Sequence, residues 1–148
     1  MNARKVLQMP NAFAIAALAM AFLLPHSGYA LPNHRLTPGA FLHVTAAQVC
    51  RSGYAHGVRA PYNTAWRKIV ADVRRSYGVR GGGFKLDHLI PLELGGNPTD
   101  RRNLWPQRTA DAQVKDGFEN TVHARVCAGS ISLAAAQREF MTDWRTAK

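Results

Sequence analysis

The sequence is poor in acids, in cysteine and in long apolar runs. Asp and Glu number 9 against 19 Lys and Arg, for a formal net charge of +10. So few carboxylates predict a basic surface, which favours polyanions such as nucleic acid, anionic lipid or acidic polysaccharide, although charge alone more often marks a merely solvated basic surface. The longest apolar stretch is AFAIAALAMAFLL at residues 12–24. It falls short of the roughly 20 residues that a membrane-spanning helix needs. No other such run exists, so the remainder is expected to be soluble. There is no CxxC pair and no nearby Cys/His spacing typical of zinc, which argues against a zinc site of thiolates. There is no internal repeat and no low-complexity tract, which excludes a solenoid.

What is present begins with a secretory signal over residues 1–30. Arg4 and Lys5 supply the charged start, the apolar stretch follows, and Gly28 and Ala30 are small residues before a cut after Ala30. Removing Arg4 and Lys5 takes the net charge from +10 to +8. Residues 31–148 then form one domain with a modest core, exported to the periplasm or beyond the cell. Cys50 and Cys127 both lie in it. In an oxidising compartment they are expected to pair, closing a loop worth about 4 kcal/mol in the chain-entropy model. The alternative use of the pair is as metal thiolates.

The coarse order is helical with a short sheet in the middle. Residues 31–41 read as an extended lead-in, and 42–50 as a strand or a single helical turn. Residues 51–61 look loop-like. A helix is expected from about Asn63 to Tyr77, because Trp66, Ile69, Val70, Val73 and Tyr77 share a face, with Asn63 or Thr64 as its cap. Gly78 ends it. FKLDHLIPL (residues 84–92) reads as a strand stopped by Pro91 and the GGNP turn, and NLWPQ (residues 103–107) as a second strand. Thr109 is a candidate cap for a helix carrying Val114, Phe118, Val122 and Val126, which Gly129 ends. Ser132 caps a last helix with Leu133, Ala136, Phe140 and Trp144 on one stripe. Trp105 and Trp144 read as core residues.

Asp87 and His88 stand side by side inside the first strand, and burying either costs free energy without a partner. DH-x-x-P-x-x-x-G-G followed by Asn103-Leu104, fifteen residues after the histidine, resembles the HNH nuclease motif and its ββα-metal fold. The match is closest to small exported HNH-like proteins with DHLIPLELGG, NLWPQ, KD, VC.G and L..AQ....DW, here residues 87–96, 103–107, 115–116, 126–129 and 133–144. It covers roughly the last 65 residues and the Cys50 segment. It implies an α+β fold: a ββα core over about 84–127 with a small antiparallel hairpin, flanking helices and the disulfide.

The resemblance also implies roles. His88 would be the general base, Asp87 a metal ligand, and Asn103 the brace that holds the loop and orients His88. A histidine near pKa 6.5 suits the activation of water, and a divalent ion on a carboxylate suits a developing phosphate charge. Mg²⁺ is the expected ion, with Mn²⁺ or Zn²⁺ as alternatives. HNH enzymes place a His or Asn on the helix about nine residues after the Asn; here that position is Ala112. Its neighbours Asp111 and Gln113 are the substitutes, Asp111 being the better ligand for a hard cation. Arg67, Lys68, Arg74, Arg75, Arg101 and Arg102 are candidate contacts to DNA or RNA, although basic helix faces are often merely solvated. Asp116, Asn120 and His123 share a helix face that reads as solvated, with a second metal site as the alternative. Glu93 is expected to pair with Arg101 or Arg102, or else to join the site. His34, His43 and His56 read as loop or surface residues. The expected function is non-specific, metal-dependent endonuclease activity. The alternative is a degenerate module that binds nucleic acid or another polyanion without cutting.

Overall fold

The structure, a computed structural model, describes residues 30–147. The signal reading, Ala30 apart, lies outside the described residues. The fold is α+β: among these residues, five α-helices surround one two-stranded antiparallel sheet. Strand β1 (Phe84–His88) pairs with β2 (Leu104–Arg108), placing Asp87 opposite Trp105 and His88 opposite Leu104. Helix α4 (Thr109–Cys127) follows β2 directly. With two strands, each has a free edge, so Pro106 can sit in β2 without forfeiting a needed ladder bond.

The first strand is shorter than its apolar run, because one buried side chain takes over from the ladder. The Leu89 amide still donates to the Asn103 carbonyl at 2.8 Å. Beyond it, the Ile90 amide donates to Asn103 Oδ1 at 2.8 Å, and Asn103 Nδ2 donates back to the Ile90 carbonyl at 3.0 Å and to the Asn97 carbonyl at 3.1 Å. The chain leaves the sheet there and enters a 3₁₀ turn at Leu92–Leu94. Gly95 closes that turn at φ 79°, and a Cβ on Gly96 would lie 1.9 Å from the Ile90 carbonyl oxygen. The bend therefore requires glycine twice, for backbone angle and for space.

The core lies between the sheet and the C-terminal helices. Trp105, Val122 and Val126 pack with Leu89, Ile90 and Leu94, and with Ala136 and Phe140 of α5 (Leu133–Asp143). Trp144 seals it from the following turn. Ser132 caps α5 by accepting from the Ala135 amide, and Gly129 ends α4 at φ 73°. The lead-in lies across the β1–β2 connection: the Gly39 amide donates to Arg102 O, Leu42 to Gly95 O, and Asn97 to Ala40 O, all within 2.9 Å. Residues 42–50 yield the helical alternative, the single turn α1 (Ala46–Val49), capped by Thr45. Cys50 at its end is bonded to Cys127 at the end of α4, with Cα atoms 5.6 Å apart.

Three local expectations need correction. Residues 51–61 are not a loop: α2 (Tyr54–Arg59) runs through them into a 3₁₀ turn at Ala60–Tyr62. Pro61 stands in the first positions of that turn, where no amide donor is needed. Helix α3 (Trp66–Ser76) starts later than Asn63, with Ala65 at its cap and no side-chain cap bond. Thr109 is the first residue of α4 rather than its cap; its amide is satisfied by Gly83 O at 3.0 Å.

Candidate active site

A cavity of about 380 Å³ opens where β1, the Leu92–Leu94 turn, α2, α3 and α4 meet. Asp87 and His88 both line it. Adjacent strand residues normally point to opposite faces. Here β1 ends at His88, and Asp87 Oδ1 accepts a hydrogen bond from the His88 amide at 2.7 Å. That bond folds the carboxylate back toward its neighbour. The buried Asp87 Oδ2 has no hydrogen-bond partner among the described residues.

The His88 ring is held on two sides. Its Nε2 lies 3.2 Å from the Pro98 carbonyl oxygen, and its face stacks on Trp66 with centroids 5.9 Å apart and planes 24° apart. A carbonyl can only accept, so Nε2 carries the proton and Nδ1 keeps the lone pair. Burial pushes the His88 pKa down to about 4, against the opposing pull of the Pro98 bond and the Asp87 charge. The ring is therefore neutral at neutral pH, with the Nδ1 lone pair available, as a weaker base than the histidine near 6.5 expected from the sequence.

Helix α4 presents Asp116 and Glu119 to the same cavity, with Lys115 behind them. Lys115 is fully buried, and its Nζ donates to the His88 carbonyl at 2.7 Å and to Glu119 Oε1, and lies 3.5 Å from Asp87 Oδ1. One ammonium thus ties the strand end to the helix. Burial raises the Glu119 pKa to about 7; Lys115 opposes the shift, and the Asp87 and Glu93 charges add to it. Glu93, from the 3₁₀ turn, is raised as well, mainly by burial, and its Oε1 is buried without a hydrogen-bond partner among the described residues. Lys85 bridges Asp87 Oδ2 at 3.7 Å and Asp116 Oδ1 at 3.5 Å. At the mouth, the Arg59 guanidinium lies 4.9 Å from the centre of the Trp66 ring.

The sequence candidates are distributed unevenly over this geometry. Asn103 is fully buried behind the cavity; it braces the loop by the three bonds above and makes no hydrogen bond to the His88 ring. Asp111 and Gln113 do not line the cavity. Asp111 Oδ2 accepts from the Ala30 amide at 3.1 Å, and Gln113 is exposed. Ala112 is in the core. Glu93 does not pair with Arg101 or Arg102: Arg101, Lys68 and Arg75 all converge on Asp72, within 3.1 Å, and Arg102 binds Asp100 at 2.6 Å. Arg74 donates to the Gly81 carbonyl. Arg67 is exposed with no acidic partner among the described residues. Most of the proposed nucleic-acid contacts are therefore already engaged in local pairs.

The sequence reading missed Glu119, Lys115, Arg59 and Trp66. For α4 there was a signal: Lys115 and Glu119 sit four apart, on one face with the KD of the motif. For Arg59 and Trp66 there was none, because they reach His88 only through the packing of α2 and α3. Asp116 and Asn120 are exposed, as expected of that face, but His123 is half-buried. Its Nε2 lies 3.1 Å from Val49 O and 3.4 Å from Cys127 Sγ. Cys50, His123 and Cys127 have ligand atoms within 4.8 Å of one another, the spacing of a metal site, but the disulfide leaves neither sulfur as a thiolate. His34, His43 and His56 are exposed. Compared with known proteins, the chain matches no family model, no curated protein and no solved structure.

Proposed function

We propose that this chain is an exported, metal-dependent, HNH-like endonuclease that hydrolyses phosphodiester bonds in DNA or RNA. The observation that carries the reading is His88: neutral, with Nε2 committed to the Pro98 carbonyl and Nδ1 left to accept a proton, in a cavity it shares with Asp87. It stands at the end of the first strand of a strand–strand–helix unit, where the resemblance expects it.

The residue types suit a hard divalent cation. The Asp87, Glu93 and Glu119 oxygens would have to draw together to hold one: among the described residues, only Cys50, His123 and Cys127 bring three ligand atoms within 4.8 Å of one another. Asp87 Oδ2 and Glu93 Oε1 are buried oxygens without hydrogen bonds among the described residues, and Glu119 adds a carboxylate from α4. Glu119, rather than Asp111 or Gln113, is the helix ligand this reading assigns. A cation held there would stabilise the developing charge on the leaving oxygen. In the hydrolysis His88 Nδ1 takes a proton from water, the water oxygen attacks phosphorus, and the phosphorus–oxygen bond to the leaving group breaks. Pro98 and Trp66 keep the imidazole in one tautomer and one plane while this happens. Asn103 acts through the loop: it fixes the bend that carries Pro98 to His88.

One observation favours the non-cutting alternative. Lys115 already offers its charge to Asp87 and Glu119, the carboxylates that a metal would need. In that reading the ammonium replaces the cation and the cavity only binds a polyanion.

The test is incubation of residues 31–148 with plasmid DNA and with RNA, in Mg²⁺, Mn²⁺, Zn²⁺ or chelator, with His88→Ala purified alongside. Metal-dependent cleavage that His88→Ala lacks is the expected result. Cleavage no greater than that of His88→Ala under every metal would refute nuclease activity and leave the binding alternative.

A further inference from the structure

We infer that Arg59 is the cation that receives the substrate phosphate, with Trp66 as the platform that holds it beside His88. The inference rests on the nuclease reading and adds to it a residue from outside the strand–strand–helix unit.

The argument starts from charge. Asp87, Glu93, Asp116 and Glu119 line the cavity, so it would repel a phosphodiester unless cations answer them. Lys115 is fully buried and held by three oxygens. Lys85 lies between two carboxylates, Asp87 and Asp116. Arg59 also lines the cavity, is exposed, and has no acidic partner among the described residues. Its charge is the uncommitted one at the mouth.

Geometry makes that charge usable. The guanidinium lies over the Trp66 ring at 4.9 Å, and Trp66 stacks on His88 at 5.9 Å. Cation–π stacking engages the face of a guanidinium and leaves its in-plane N–H donors free. Those donors form a fork that matches two phosphate oxygens. Arg59 and His88 thus pack on the same indole, which sets a phosphate receptor and a proton acceptor around one cavity wall. The contact with Trp66 orders an otherwise flexible side chain before substrate arrives, which lowers the cost of binding.

The position in the chain adds a second point. Arg59 is the last residue of α2, which begins four residues after Cys50. The Cys50–Cys127 bond anchors that segment to α4, the helix that carries Glu119. The two sides of the cavity are therefore covalently tied.

The experiment compares wild type, Arg59→Ala, Arg59→Lys and Arg138→Ala. Arg138 is an exposed arginine of α5 away from the cavity, so its loss controls for net charge. Cleavage of a short fluorogenic oligonucleotide gives kcat and KM in the active metal. Binding of a short single-stranded oligonucleotide, by anisotropy in chelator, is read on the same four proteins. Arg59→Ala should lose about 100-fold in kcat/KM, the loss seen when one preorganised donor to a developing anion is removed. Arg59→Lys should fall between, and Arg138→Ala should match wild type. If wild type cleaves and Arg59→Ala cleaves equally well, or Arg138→Ala loses as much, the role of Arg59 is overturned while the nuclease reading stands. If nothing cleaves, that reading fails by itself, and binding decides: weaker binding in Arg59→Ala alone supports Arg59 as a phosphate site, and equal binding in all four proteins overturns it.

Discussion

Replacing Glu119 by Gln should change how the stability of the metal-free protein depends on pH. Two buried groups at the cavity oppose each other. His88 falls from 6.5 to about 4 on folding, so the unfolded chain holds the extra proton between those values. That contribution to stability is present above pH 6.5 and is lost as pH falls to 4. Glu119 rises from 4.5 to about 7, so the folded chain holds the extra proton. Its contribution is present below pH 4.5 and is lost as pH rises to 7. Each shift corresponds to about 3 kcal/mol across its window. The windows overlap from 4.5 to 6.5, and there the two slopes cancel. Glu119→Gln keeps the shape of the side chain and removes one of them. Relative to wild type, the variant should gain about 3 kcal/mol as pH rises from 4.5 to 7, whatever constant offset the lost Lys115 partner adds. Urea unfolding at half-unit pH steps in chelator measures this, and the difference between the two proteins cancels the titrating groups that do not interact with Glu119. A difference that does not vary with pH would show that Glu119 is ionised in the fold like an exposed acid, and would refute the burial argument.

The disulfide spans 77 residues, so Cys50→Ser should lower stability by about 4 kcal/mol in the chain-entropy model. Reductant should shift the urea midpoint of wild type and leave the variant unmoved. Gly96→Ala should cost 3 kcal/mol or more, roughly, because its Cβ would meet the Ile90 carbonyl and Asn103 Nδ2, neither of which can yield without opening the bend; thermal unfolding reads it. Asn103→Ala should cost about 3 kcal/mol from three hydrogen bonds, two of them buried and one part-buried. It should also release the loop that carries Pro98 and open His88 to water. Relief of burial, the largest cause of the depression, should outweigh loss of the Pro98 bond, so the His88 imidazole titration, followed by NMR, should move up toward 6.5. An unmoved titration would refute the brace.

The elements near the site show how far local pattern reaches. The apolar stripes of α4 and α5 were legible because a helix repeats every 3.6 residues and one face must meet the core. The turn glycines were legible because only glycine fits those backbone angles. The end of β1 was not, because the bonds that stop the strand come from Asn103, thirteen residues after Ile90. Helix α2 was missed because Gly57 and Pro61 argue against a helix locally, and packing against the Leu92–Leu94 turn outweighs them.

By itself the sequence determined an α+β chain with the Asp87-His88 pair on a short strand, its glycine bend, and two cysteines suited to pairing. These depend on neighbours in the chain and on residue type. The tertiary structure decided the remainder. It left Asp111 outside the cavity and buried Ala112 in the core. It turned Glu119 and Glu93 toward His88, spent Lys68, Arg75 and Arg101 on Asp72, and delivered Arg59 and Trp66 from a segment read as loop and helix face. Helix rotation and segment docking are set by the summed burial of many residues. No local spacing records which charged side chains will meet.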